Sequence, residues 1–151
     1  MFKLTRKTEY ALLALGYLKG SPDDSVTKVR EIADRHRIPF PILAKVMQQL
    51  ARHKYVEPLQ GAKGGYRLAD RAMNGNLWMF LEQMEGPQGL MDCIVSTGCD
   101  QISTCTIQSP LRELDATIRN FFNNLQLRDV LVDMSAKPAF GAPPSVVRVP
   151  D

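Results

Sequence analysis

The run Gly61-Ala62-Lys63-Gly64-Gly65, set between two short β-prone stretches at 55–59 and 66–69, constrains this chain more than any other feature. Glycines there supply the positive φ angles of a hairpin turn, and the flanks carry the aromatic and branched residues of strands. A phosphate-cradling loop is the poorer reading, because the run lacks the Lys-Ser/Thr ending of a P-loop and leads into a strand rather than a helix. What precedes the hairpin is helical. Thr5 caps a segment over 6–19 in which Tyr10, Leu13, Tyr17 and Leu18 recur at helical spacing, until Gly20, Ser21 and Pro22 stop it. Thr27 is placed to cap a second helix with Val29, Ile32 and Ala33 on one stripe, ending near His36. The chain then turns, with Ile38 as a core plug, and Pro41 suits the first position of a third helix reaching about His53.

In that third helix Leu43, Val46, Met47 and Leu50 share one face, leaving Phe40, Ala44, Lys45, Gln48, Gln49 and Arg52 nearer the other. Three helices followed by a hairpin form a winged helix-turn-helix, whose third helix enters the major groove of DNA. Lys45, Gln48, Gln49 and Arg52 are the candidate readers, since Gln pairs bidentately with adenine and Lys or Arg with guanine. Lys63 and Arg67 on the wing, and Arg6, Lys7 and Lys28 at the flank, are candidate phosphate contacts. The charge distribution agrees. The net charge of +3 divides into +7 over residues 1–72, from 14 Lys and Arg against 7 Asp and Glu, and −4 over residues 73–151, from 5 against 9. Phosphate attraction is needed only on the docking half.

Beyond the hairpin, a helix over 76–85 turns Leu77, Phe80, Leu81 and Met84 inward, and Gly86, Pro87 and Gly89 end it. A loop over 91–107 follows. Ser109 and Pro110 then open a long helix in which Leu111, Leu114, Ile118, Phe121 and Leu125 recur every three and four residues, the seam of a helix that packs on a sister copy. The expected fold is therefore mainly α: a winged helix-turn-helix with a small β-hairpin wing over 1–72, then a second part over 73–134 that holds this loop and a long dimerisation helix. A tail rich in Pro, Gly, Ala and Ser over 135–151 is expected to be disordered. The longest apolar run, 10–18, falls well short of the roughly 20 residues of a membrane span, and the N-terminus lacks the pattern of a secretory signal. A cytoplasmic location without a membrane partner is expected.

All three cysteines, Cys93, Cys99 and Cys105, fall in that loop at a spacing of Cys-x5-Cys-x5-Cys. Thiolates gathered on one bendable segment suit a soft metal or an iron–sulfur cluster. Their odd number, and a reducing cytosol, argue against a disulfide framework. Zinc remains a rival, although zinc loops usually carry closer cysteine pairs, and so does a pair of redox thiols, Cys99 with Cys105. No nucleophile with a base, and no catalytic pair of carboxylates, stands in a recognisable setting, so no enzyme is expected. A cluster-carrying redox protein that ignores DNA is the alternative of another class, and the +7 N-terminal half speaks against it.

From Leu4-Thr5 and Tyr10-Ala11, through Glu31-Ile32-Ala33, the 43–50 segment, Gly64-Gly65-Tyr66 and the cysteine triad, to the 127–131 segment, the chain resembles the IscR-like bacterial regulators. The resemblance runs from about residue 3 to residue 133. It implies a homodimeric winged-helix repressor that binds a palindromic operator. It also implies an iron–sulfur cluster, of two or four irons, held by the three cysteines and coupled to DNA affinity as a sensor of cluster or iron supply, redox state or nitric oxide. Relatives that complete the cluster with His three residues after the last cysteine would have it at Gln108, a poor ligand. Others use a carboxylate from the first helix of the partner subunit, and Glu9 stands at that place. Gln60 before the wing and Ala44 in the third helix depart from many relatives, so an operator sequence does not carry over.

Overall fold

The computed structural model describes residues 4–22, 25–95 and 98–131; the tail expected from residue 135 lies outside them. The elements run α1 (Arg6–Lys19), α2 (Val29–His36), α3 (Phe40–Arg52), β1 (Val56–Leu59), β2 (Gly65–Leu68), α4 (Asp70–Asn74), α5 (Leu77–Glu85), α6 (Asp92–Val95), α7 (Gln108–Asn123) and α8 (Leu127–Val130). This is the expected mainly helical chain with one small antiparallel sheet. Helix α1 begins at Thr5, whose side chain accepts from the Thr8 amide, and ends at Gly20. Both ends match the capping signals in the sequence.

Helix α2 differs at its start. Lys28, not Thr27, occupies the cap, and it makes no side-chain cap bond. Thr27 is instead drawn into the wing: its amide donates to the Tyr66 carbonyl and the Tyr66 amide donates back, both at 2.9 Å. A third strand-like contact thus ties the hairpin to the helical part, and a threonine one residue from a helix was the right chemistry in the wrong position. The αL residue Arg37, at φ 54°, closes α2 and lets Ile38 fold back into the core, where it is buried. Pro41 sits in the first turn of α3, which starts one residue earlier at Phe40.

The wing pairs Val56 with Leu68 and Leu59 with Gly65. Its close contact with Thr27 dictates a glycine, because a Cβ on Gly65 would lie 2.4 Å from the Thr27 carbonyl oxygen. Gly65→Ala is therefore expected to cost roughly 1–3 kcal/mol of overpacking. Urea unfolding read by circular dichroism checks this, and an unchanged midpoint would contradict the close approach.

One core runs through the described residues. Leu15 of α1, Ile32 of α2, Leu43, Met47 and Leu50 of α3, Tyr55 just before β1, Phe80 and Met84 of α5, and Leu127 and Leu131 around α8 are all buried in it. Burial of each large side chain is worth about 1.5–3 kcal/mol, so α5 and α8 belong to the same stabilising core as α3. The Tyr55 and Phe80 rings meet edge to face at 5.2 Å. The short α4, unforeseen in the sequence, is cut off by Gly75 before Asn76 caps α5.

Candidate DNA interface and cysteine loop

Four apolar positions hold the inner face of α3: Leu43, Val46, Met47 and Leu50 are buried. Lys45, Gln48 and Arg52 are consequently turned out and exposed. Near the start of the helix Phe40 is 40 % exposed, with the Arg30 guanidinium 4.8 Å above its ring, a cation–π contact that holds a second cation beside the helix. Gln49 points elsewhere. Its amide nitrogen donates to the carbonyls of Gln83 at 3.0 Å and Met84 at 3.5 Å, in the last turn of α5. A helical wheel places Gln49 on the rim of the outer face, and tertiary contact draws it inward.

On the wing, Lys63 is exposed at the turn. Arg67 is directly opposite Glu57 in the register and is engaged by it through Nε at 2.8 Å and Nη2 at 2.7 Å. Lys28 is exposed, and Arg6 is exposed and paired with Glu9 at 2.9 Å. The described residues thus place Lys28, Lys45, Gln48, Arg52 and Lys63 outward.

The cysteines lie between α5 and α7: Cys93 within α6, Cys99 in the loop, and Cys105 just before α7. All three are free and half-buried. The Cys99 thiol donates toward Gln101 Oε1 at 3.5 Å. Between them run short turns, from the Ile94 amide to the Met91 carbonyl, Ile102 to Cys99 and Thr104 to Gln101. Among the described residues no three His, Cys, Asp or Glu side chains converge as a metal-holding group. In donor chemistry the loop fits a soft metal group, with three uncombined, accessible thiols. In placement its described residues form local turns that leave the three thiols apart rather than converged on one point.

Sequence reasoning missed how this loop is anchored. Asp115 of α7 is only 6 % exposed; its carboxylate accepts from the Leu90 amide at 2.9 Å and lies 3.6 Å from Arg119. Arg119 in turn reaches the Gln88 carbonyl at 3.4 Å and stacks over the Trp78 ring at 4.6 Å. The entrance to the loop is thereby fastened to α7. The available signal was a carboxylate four residues after Leu111, on the face otherwise given to apolar residues.

The long helix also divides the expected seam in two. Leu111, Ile118 and Leu125 are half-buried, whereas Ile107, Leu114 and Phe121, seven residues apart, are 57 %, 48 % and 49 % exposed. Phe122, not Phe121, faces α5, with its ring 6.2 Å from that of Trp78.

Glu9 lies on the first turn of α1, its side chain 39 % exposed and held by Arg6. Next to it the buried Thr8 hydroxyl donates to Glu85, as do the Thr5 amide at 2.9 Å and the Thr5 hydroxyl at 2.7 Å. Burial pushes the Glu85 carboxyl up, but these bonds and the Lys7 charge outweigh it and leave the group below its ordinary value. Burial, helped by Arg35, lowers His36, and burial, helped by Arg52 and Arg71, lowers His53. All three shifts have the same sign for stability. A depressed group binds fewer protons folded than unfolded, so stability falls with pH, first below about 6.5 for the histidines and then, for Glu85, from about 4.5 down through its depressed folded value. The unfolding temperature of the metal-free protein is expected to drop steadily from pH 7 to 4, and to drop less at the acid end in Glu85→Gln. A flat profile would contradict these environments.

Comparison with known proteins places these features. The family model described as Rrf2, an iron-dependent transcriptional regulator, matches residues 4–133. A provisionally named HTH-type transcriptional regulator of Aquifex aeolicus is 33 % identical over 134 residues, covering 87 % of this chain and 92 % of its own. The HTH-type transcriptional regulator NsrR of Shouchella clausii is 27 % identical over 133 residues, covering 87 % and 89 %. Among solved structures, CymR, the global cysteine regulator of B. subtilis, has a TM-score of 0.64 at 20 % identity, covering 87 % of this chain and 97 % of its own. IscR of T. potens has 0.63 at 20 % identity, covering 86 % of each. These two share the fold, and the sequence relatives are regulators, not enzymes. No helix among the described residues is long and apolar enough to cross a membrane. With the match running unbroken through the winged helix, the cysteine loop and the long helix, the chain belongs to the Rrf2 family of DNA-binding transcriptional regulators.

Proposed function

We propose that this regulator is a cytoplasmic homodimeric repressor whose grip on a palindromic operator depends on an iron–sulfur cluster at Cys93, Cys99 and Cys105, completed by Glu9 of the partner subunit. One observation carries the reading: three free, half-buried thiols occupy the single segment that joins the core beneath α3 to the exposed heptad stripe of α7. The family model, described as iron-dependent, supports it. When bound, such a cluster supplies a redox-active, oxygen-labile charge.

The chain's own residues divide the remaining work. Lys45, Gln48 and Arg52 read base edges or phosphates, Lys63 and Lys28 hold phosphates, and Arg67 and Arg6 stiffen the wing and the start of α1 through their carboxylate partners. Ile107, Leu114 and Phe121 offer the apolar ridge on which a second copy packs; two α7 helices so paired set two α3 helices at a spacing near one turn of DNA or a multiple of it. Residues 1–72 form the DNA-reading unit and residues 73–134 the sensing and assembly unit.

Anaerobic purification followed by reconstitution tests the proposal. A brown protein binding about two or four irons per chain, dimeric in sedimentation, is expected, and colourless iron-free protein would overturn the cluster. A second reading has one observation behind it, the absence of a preformed donor group among the described residues. On that reading Cys99 and Cys105 act as bare thiols that pair on oxidation, and thiol titration before and after peroxide, with zinc analysis, separates it from the first.

A further inference from the structure

Helix α1, which carries Glu9, and the reading helix α3 are hydrogen-bonded to neighbouring residues of one turn at the end of α5, α1 to Glu85 and α3 to Gln83 and Met84. On one side, a single Glu85 oxygen accepts from the Thr5 amide, the Thr5 hydroxyl and the Thr8 hydroxyl. A carboxylate is poorly placed at the C-terminus of its own helix, where the dipole favours cations. It is well placed against the N-terminus of α1, where it faces unpaired donors and the positive end of that dipole. Glu85 thus serves α1 rather than α5. On the other side, the Gln49 amide donates to the Gln83 and Met84 carbonyls, last-turn acceptors that lack partners within α5. The Tyr55 hydroxyl, just past α3, donates to Gln83 Oε1 at 2.8 Å. Thr8 and Tyr55 are fully buried, so water does not readily replace these bonds.

We propose that the last turn of α5, Gln83 to Glu85, is the joint through which the first turn of α1 sets the position of α3, with Thr5 and Thr8 as its input and Gln49 as its output. The inference rests on the assignment of Glu9 as a ligand from α1: whatever displaces Glu9 displaces Thr8 beside it, and Glu85 with it. Gln49 is then a positioning residue, one turn from Lys45 and Arg52 on the same rigid helix, and does not itself read bases.

The test uses the full chain and the duplex that the wild type selects from a random-sequence pool. The wild type is expected to bind that duplex with affinities differing about 5- to 150-fold between the cluster-loaded and cluster-free states. In Gln49→Leu and in Thr8→Val the two affinities should converge to within about twofold, with visible spectrum and iron content unchanged, and the double variant should add nothing further. Thr5→Ala, at an exposed position, repeats the test if Thr8→Val expresses poorly. Variants that keep the wild-type ratio with an intact spectrum overturn the joint. A second readout needs no cluster: in metal-free protein Thr8→Val should speed amide exchange in residues 48–52 of α3 as well as in α1, and acceleration confined to α1 overturns the joint. Equal wild-type affinities in the two states would instead overturn the function reading, while the exchange experiment still decides the joint.

Discussion

Removing both Lys45 and Arg52 as Ala variants is expected to weaken duplex binding by roughly 2–6 kcal/mol, since each cation contacting a base edge is worth about 1–3 kcal/mol. That corresponds to a loss of between about 30-fold and more than about 10⁴-fold. Both side chains are exposed on α3 while Leu43, Val46, Met47 and Leu50 anchor its other face, so the fold should be untouched and the circular dichroism unchanged. The salt dependence tells what was lost. If both cations contact phosphate, the slope of log affinity against log salt falls by about 0.9 for each. If they read bases, affinity for the selected duplex falls more than affinity for a scrambled one. Fluorescence anisotropy over a salt series on both duplexes distinguishes these, and undiminished binding would remove α3 as the reading element.

Serine in place of any one of Cys93, Cys99 or Cys105 is expected to abolish stable iron retention and the visible absorption of the reconstituted protein, because a cluster missing a thiolate has lost its soft donor and gained a hard one. The unfolding temperature of the metal-free protein should change little. The thiols are half-exposed on a segment of local turns, outside the buried cluster that runs from Ala11 to Leu131. Glu9→Ala should leave a cluster that forms but decays faster in air, and Gln108→Ala should leave one that behaves as wild type. Loss of the spectrum in Gln108→Ala alone would move the fourth ligand to α7. Iron analysis and absorption spectra on the five variants, reconstituted side by side without oxygen, check the set.

Local signals gave away the elements that depend on local physics. Thr5 and Gly20 bound α1 because an N-cap hydroxyl and a C-terminal glycine act within one turn, and the Leu43, Val46, Met47, Leu50 spacing reveals which side of α3 is buried. The hairpin was legible from its glycines, although the reason Gly65 has to be glycine, the Thr27 carbonyl, comes from a segment nearly 40 residues away. Where a side chain's partner is distant, the sequence is silent. Thr27 looks like a cap until the wing claims it, and Gln49 looks like a DNA reader until the end of α5 claims it. Adjacent Phe121 and Phe122 differ by one position on the wheel, and only the place of Trp78 decides which is turned inward. The cysteine spacing pointed to a metal centre, but Asp115 and Arg119, which moor the loop, were hidden in a helix read for its apolar stripe.

The most direct measurement is the affinity of the wild-type protein for its selected duplex, taken anaerobically with the cluster loaded and again after the iron is removed by chelation, at one fixed salt concentration. A difference of about fivefold or more between the two states, in either direction, is expected from a regulator whose cysteine loop governs α3. Affinities that coincide, on protein that demonstrably carried iron in one state and none in the other, would contradict the account.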